Sequence, residues 1–178
     1  MVEISVHTAR LELTPLDAES IQALLDGDAI QLKRLTGASF PEPAGPPPYM
    51  AESLPVVRDR LRRLPAEAPW WNWIAVRQDS GEVVGSVAFG GMPELDGSVL
   101  IGYAMYPGFE GQGYATEAVR AMVAWAFAQP GVRTVRALAP VWNTPAVHVA
   151  EKVGMRPIAS DEDDEVGEVL VYETDRPE

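Results

Sequence analysis

The chain contains no cysteine among its 178 residues. That excludes disulfides, thiolate zinc sites and a cysteine nucleophile. Histidine is nearly as scarce: His7 and His148 are the two, far apart and without metal-ligand spacing, so no metal is expected. Positive charge is also short, with 14 basic against 26 acidic residues and a formal net charge of −12. A nucleic-acid partner needs a basic face, so none is expected, whereas a cationic ligand is attracted at long range. No stretch reaches the roughly 20 apolar residues of a membrane span. The opening MVEISVHTAR lacks the apolar run of a signal peptide. These absences lead us to expect a soluble, cytoplasmic protein with no membrane partner. Hydrophobic residues make up 47%, enough for one core, and we expect a single domain over residues 1–178.

What is present reads as alternating strands and helices. Leu11 and Leu13 alternate with Glu12 and Thr14 in an opening strand that Pro15 ends. Asp17 stands as N-cap of a helix that Gly27 stops, and a second helix follows from Ala29 to Leu35. FPEPAGPPPYM, from Phe40 to Met50, carries too many prolines for regular structure and reads as a semi-rigid surface loop. Leu54, Val57, Leu61 and Leu64 recur at helical spacing, with Arg58, Arg60, Arg62 and Arg63 mostly off that stripe. After Pro69 the period becomes two. Strands are expected from Trp71 to Arg77, from Glu82 after the Asp79-Ser80-Gly81 turn, and over SVLIGYAMY. A helix from Tyr114 to Ala128, the strand VRTVRALAP and the short helix TPAVHVAEKV come next. Two strand-like pieces, Met155 to Ala159 and Val166 to Tyr172, flank the acidic run DEDDE, which reads as a solvated tip.

GFEGQGYATEA, Gly108 to Ala118, carries the chemistry. Glycines lead directly into an amphipathic helix, whose unpaired N–H groups and positive dipole end can receive an anion. The spacing is neither G-x-x-x-x-G-K-[ST] nor G-x-G-x-x-G, so a nucleotide P-loop and a dinucleotide fingerprint both fit poorly.

Three segments together, IGYAMYPGFEGQGYATEAV, VWNTPA and AEKVGM, resemble the GNAT superfamily of acyl-CoA-dependent N-acetyltransferases, in particular the RimJ/RimL-like branch. The order of elements is similar from Leu11 to Tyr172. The resemblance implies an α/β fold with a central, mostly antiparallel sheet of about six to seven strands, splayed at the cofactor-binding strand and flanked by helices. It implies acetyl-CoA as cosubstrate, with Gly111, Gln112, Gly113, Tyr114, Ala115 and Thr116 cradling the pyrophosphate. Ala104, Met105 and Tyr106 would pair with pantetheine like an added strand. The Met105 N–H would stabilise the oxyanion. Asn143 matches the family asparagine that contacts the cofactor, and it can also cap the helix after it.

The sequence departs from the family where protons are handled. Leu100, Ala146 and Ala150 stand where many relatives carry glutamate, serine and tyrosine, and Glu110 replaces the usual Gln or Arg of the loop. Weak substitutes are Glu94 and Asp96 in a meander turn and His148 on the last helix. Trp71 and Trp73 share one face of a strand and could form an aromatic wall for a cation. The implied reaction is direct acetyl transfer to a primary amine, either a protein N-terminus or a small molecule, in a ternary complex. The alternative is a catalytically degraded acyl-CoA-binding sensor or scaffold. A homodimer is left open.

Overall fold

The computed structural model describes residues 3–178. In chain order the strands are β1 (Val6–His7), β2 (Leu11–Pro15), β3 (Asn72–Arg77), β4 (Val83–Phe89), β5 (Ser98–Met105), β6 (Thr134–Pro140), β7 (Arg156–Asp163) and β8 (Gly167–Asp175). The helices are α1 (Ala18–Asp26), α2 (Ala29–Thr36), α3 (Leu54–Arg63), α4 (Tyr114–Phe127) and α5 (Thr144–Lys152), with a 3-10 segment at Pro65–Trp70. The strands form one sheet in the order β1-β2-β3-β4-β5-β6-β8-β7. Every neighbouring pair is antiparallel except β5 and β6.

Eight strands stand against the six to seven expected. The additional one is β1, whose two residues are too short to show a period. β7 also runs through Asp161, Glu162 and Asp163, which the sequence reading left outside a strand. Its ladder with β8 satisfies the backbone whatever the side chains are, and an edge strand can turn carboxylates to water.

Alternation along the strands builds two cores on opposite faces. Leu11, Leu13, Trp73, Val87, Val99, Ile101 and Met105 face α4 and α5, which contribute Val119, Met122, Val149 and Ala150. Leu16, Ile74, Val83 and Tyr106 belong to the other core, with Ile21 and Leu24 of α1, Leu32 of α2, and Leu54, Val57 and Leu61 of α3. The Pro-rich loop is folded onto this second core: Phe40 and Ala44 pack against it, and the Tyr106 hydroxyl donates to Gly45 O at 2.7 Å.

The parallel pairing of β5 with β6 covers only Ser98↔Thr134 to Ile101↔Ala137. Beyond Ala137, β6 continues to pair with β8, and β5 continues to pair with β4. The two strands therefore diverge, and the sheet opens into a V after Ile101.

Candidate functional site

A cleft of about 560 Å³ lies in this V. Tyr103, Ala104 and Met105 line it consecutively, although they point to alternate faces, so it follows the free edge of β5. From the α4/α5 face come Gly111, Gly113, Tyr114, Ala115 and Thr116, together with Asn143, Ala146, His148 and Lys152. Pro48 and Tyr49 come from the end of the Pro-rich loop, whose body lies on the other face. The opening thus passes through the sheet.

Backbone direction along β5 follows from its bonds to β4. Gly90 N–H donates to Leu100 O, and Tyr106 N–H donates to Val84 O, both at 2.9 Å. Antiparallel pairing alternates, so the backbone polar groups of the even-numbered residues 100 to 106 face β4. Those of Tyr103 and Met105 face the side that β6 has left. Of the three residues expected to pair with a cofactor, Met105 alone turns its N–H into the V. Ala104 lines the cleft with its side chain, and its backbone groups turn towards Ser86 of β4. Tyr106 lies outside the lining, with its ring 6% exposed in the second core. Its expected backbone role is corrected by the parity of the strand. Tyr103, absent from the sequence-based candidates, shares the backbone orientation of Met105 and lines the cleft.

Gly85 opposes Met105 across the ladder. A Cβ there would lie 2.5 Å from both Ala104 O and Met105 Cε, so only glycine lets β4 lie this close to β5.

The helix end fits an anion. Gly113 is the N-cap of α4 with φ 81°, and among the described residues no side chain caps it. Glu117 N–H donates to Gly113 O, which leaves the N–H groups of Tyr114, Ala115 and Thr116 as the first-turn donors that α4 itself cannot satisfy. The expectation for Gln112 concerns its backbone N–H, whereas its side chain and carbonyl are engaged within the protein. Its side chain donates back to Gly108 O and its carbonyl accepts from Arg10 Nη1, so it braces the loop outside the lining. Glu110 is exposed at the cleft edge, and Lys152 is the one lysine or arginine in the lining.

Arg10 holds the loop from behind. Its Nε donates to Glu117 Oε2 at 2.7 Å, Nη1 reaches Gln112 O at 3.0 Å, and the guanidinium lies 4.3 Å from the centre of the Tyr114 ring. The Arg10 N–H and the Thr8 hydroxyl donate to Glu117 Oε1. Burial works against the charged form of Glu117, but these hydrogen bonds outweigh it and hold the carboxyl below its ordinary value. Glu117 therefore ties the β1–β2 turn to the first turn of α4.

Asn143 caps α5, its Oδ1 accepting from Ala146 N at 3.3 Å, while it also lines the cleft. The Tyr103 hydroxyl crosses the V to donate to Ala146 O at 2.6 Å. Burial pushes this phenol up to about 12, so it stays protonated. Trp142 stands 56% exposed at the rim, with Nε1 donating to Val166 O beside the β7–β8 turn.

Several candidates lie elsewhere. Glu94 and Asp96 sit in the turn before Ser98, at the far end of β5 from Met105. At about 3.3 Å per residue the strand alone separates them by roughly 23 Å. Asp96 Oδ1 accepts from the Ser98 hydroxyl and N–H, and these bonds hold its carboxyl below the usual range. Both are turn residues, not bases of this cleft. Trp73 is 0% exposed, its Nε1 bonded to Pro69 O, and it packs against Trp125 at 5.2 Å. Trp71 precedes β3 and packs in the other core, so the two rings share no face and neither lines the cleft. His148 does line it, exposed on α5. Ala150 is 1% exposed and Leu100 is 42% exposed, and neither offers a proton-handling group.

These features can be set beside known proteins. YjdG of Bacillus subtilis (strain 168), named as an uncharacterized N-acetyltransferase, is 27% identical over 154 residues, covering 85% of this chain and 89% of its own. RimL, a ribosomal L7/L12 α-N-protein acetyltransferase solved in complex with coenzyme A, superposes with a TM-score of 0.69 at 17% identity, covering 97% of this chain and 98% of that one. A chimera of spermidine N-acetyltransferase SpeG from Vibrio cholerae gives 0.68 at 13%, covering 94% and 96%. At such identities the structural likeness shows the fold alone. Residues 10–156 match the family model described as an acetyltransferase (GNAT) domain, and the protein belongs to the GNAT family of N-acetyltransferases.

Proposed function

We propose that the cleft binds acetyl-CoA and transfers its acetyl group directly to a primary amine entering from the α1–α3 face. The observation that carries this reading is the junction of two donor sets on one through-sheet opening. Those sets are the free N–H groups of α4 for an anion and the unpaired β5 edge for an extended chain. The residues fit the cosubstrate. Gly111 and Gly113 leave room for a pyrophosphate, Lys152 adds a cation, and Tyr103 and Met105 offer strand-like pairing to pantetheine. When bound, acetyl-CoA supplies a thioester whose C–S bond breaks with its electron pair on sulfur as the C–N bond forms and a proton passes from nitrogen to sulfur or solvent.

The chain's own contribution is positional and electrostatic. Met105 N–H points where a carbonyl oxygen would gain charge, and a fixed donor there is worth more than water. Asn143 caps the start of α5 and the Tyr103 hydroxyl bonds that first turn to β5, which keeps the V open at a set width. No carboxylate or imidazole lies on β5 beside Met105, and His148 is the one imidazole in the lining, on α5, so an amine that arrives as free base needs least from the chain. An α-amine near pKa 7.7–8.0 is roughly a tenth free base at pH 7, whereas a lysine near 10.4 is almost wholly protonated. This supports an α-amine or a similarly weak base as acceptor.

The second reading, a CoA-binding sensor, is favoured by the apolar residues at 100, 146 and 150 alone. Calorimetry with CoA and thiol release against a panel of amines separate the two. Turnover on α-amines is the expected result. Tight CoA binding without turnover on any acceptor selects the sensor, and failure to bind CoA overturns both.

A further inference from the structure

The amine end of the cleft has a distinct chemical character. Its rims carry two aromatic side chains that the proposed cosubstrate chemistry does not require. Tyr49 is 89% exposed and Trp142 is 56% exposed, yet both line the same opening as Met105. They approach from different parts of the chain, the Pro-rich loop and the β6–α5 turn. Exposed aromatics on two sides of one opening are more than the isolated surface residues every protein carries.

The backbone at Tyr49 supports a positional role. Its φ is 68°, in the left-handed region, where a bulky non-glycine residue is an outlier. The ring is exposed at the rim with that backbone, and the loop before it is anchored by Phe40, Ala44 and the Tyr106–Gly45 bond. Trp142 is likewise fixed by its bond to Val166 O.

Negative charge is concentrated around the cleft more than within it. Glu110 is the sole carboxylate in the lining, and it stands on the loop that leads to α4, at the anion end. The β7–β8 hairpin beside Trp142 carries Asp161, Glu162, Asp163, Asp164, Glu165 and Glu168, with no lysine or arginine between them. Such a field draws a cation towards the mouth. Inside, an ammonium meets aromatic faces, which hold one cation and the apolar group attached to it. A second or third ammonium, as in a polyamine, finds no counter-charge there and would be desolvated at a cost.

We infer that the acceptor is a primary amine carried next to one apolar or aromatic group, recognised between Tyr49 and Trp142, and that polyamines are discriminated against. This rests on the acetyl-transfer reading of the cleft. Two sources share the chemistry, a peptide α-amine with a large apolar first side chain and a free arylalkylamine.

The test measures kcat/KM by thiol release for four probes: a peptide beginning with Phe, one beginning with Ser, phenethylamine and spermidine. The Phe peptide, phenethylamine or both should exceed the Ser peptide and spermidine by tenfold or more. Tyr49→Ala should erase about tenfold of that preference through KM, the scale of one ring's lost burial, while CoA affinity by calorimetry stays unchanged. Tyr49→Phe should retain the preference. A parallel titration of the CoA-bound protein follows tryptophan fluorescence. Phenethylamine or the Phe peptide should change the signal and spermidine should not, and Trp142→Phe should remove the response. Equal or better use of spermidine, or a preference untouched by Tyr49→Ala, overturns the inference and leaves acetyl transfer standing. Should no probe be acetylated, Tyr49-dependent binding of the aromatic probes in the titration upholds the recognition of such an amine between the two rings while the transfer reading fails. Absence of any such binding overturns it as well.

Discussion

At the scale of single residues, the site is governed by which atoms face the V. Glu110 brings a carboxylate to the loop proposed to hold an anion, where it can only repel phosphate or turn to solvent. Glu110→Gln is therefore expected to leave CoA affinity unchanged or raise it, measured by calorimetry; a large loss would mean the carboxylate makes a contact that the free protein lacks. Tyr103 is a different case. Its hydroxyl is the bond between β5 and α5, and Tyr103→Phe leaves the Ala146 carbonyl without that donor. Chemical denaturation should show a loss of about 1 kcal/mol. Because the phenol stays protonated up to about 12, this loss should not vary between pH 6 and about pH 9. Pattern alone could not have pointed to Tyr103. Periodicity says that 103 and 105 share a face, but which of their neighbours turn backbone donors outward depends on the register with β4. In that register Gly85 lies opposite Met105, where a Cβ would not fit.

Among the elements, α4 and its loop were legible because glycine punctuation followed by a helical period is a local signal. The β3–β5 meander and the Asn143 cap were readable for the same reason. The clamp that steadies the loop was not, since Arg10 and Glu117 are 107 positions apart. Trp71 and Trp73 share no face because the period of two begins only at Asn72, and Trp71 stands in the bend between the 3-10 segment and β3. The clamp makes its own prediction. The folded carboxyl of Glu117 titrates below its ordinary value of 4.5, so the stabilisation it gives is fully present above about pH 4.5. It disappears as pH falls through the depressed value. Glu117→Gln should lower stability by about 1 kcal/mol at pH 7, a figure discounted for the exposure of Arg10, and the difference should close in acid. Thermal unfolding of both proteins across pH 3 to 7 would measure it; a difference that widened in acid would contradict the assignment.

For the molecule as a whole, the relevant quantities are charge and the two faces of the sheet. A net charge of −12, concentrated in part on the β7–β8 hairpin, should speed the encounter with a cationic acceptor and slow the approach of the anionic cosubstrate. The Debye length shrinks from about 10 Å at 0.1 M salt to about 3 Å at 1 M. Raising salt over that range should therefore increase KM for the amine and lower it for acetyl-CoA. Steady-state kinetics at several ionic strengths would reveal the opposite signs, and a common sign would count against steering. The family and general architecture were readable from three short segments. The acceptor side was not, because its walls come from a loop without periodic pattern and from a turn whose partner is the distant hairpin.

The split between β5 and β6 also bears on the order of events in turnover. A passage open on both sides of a sheet gives the two spent products separate exits: free CoA can leave past α4 while the acetylated amine leaves past Tyr49. Neither has to wait for the other. Product inhibition should then be competitive only within each pair, CoA against acetyl-CoA and acetylated amine against amine, with substrates adding in either order. An acceptor too bulky to tumble away quickly would still not hold up the exchange of CoA, so one encounter with a macromolecule could outlast several rounds of cosubstrate replacement.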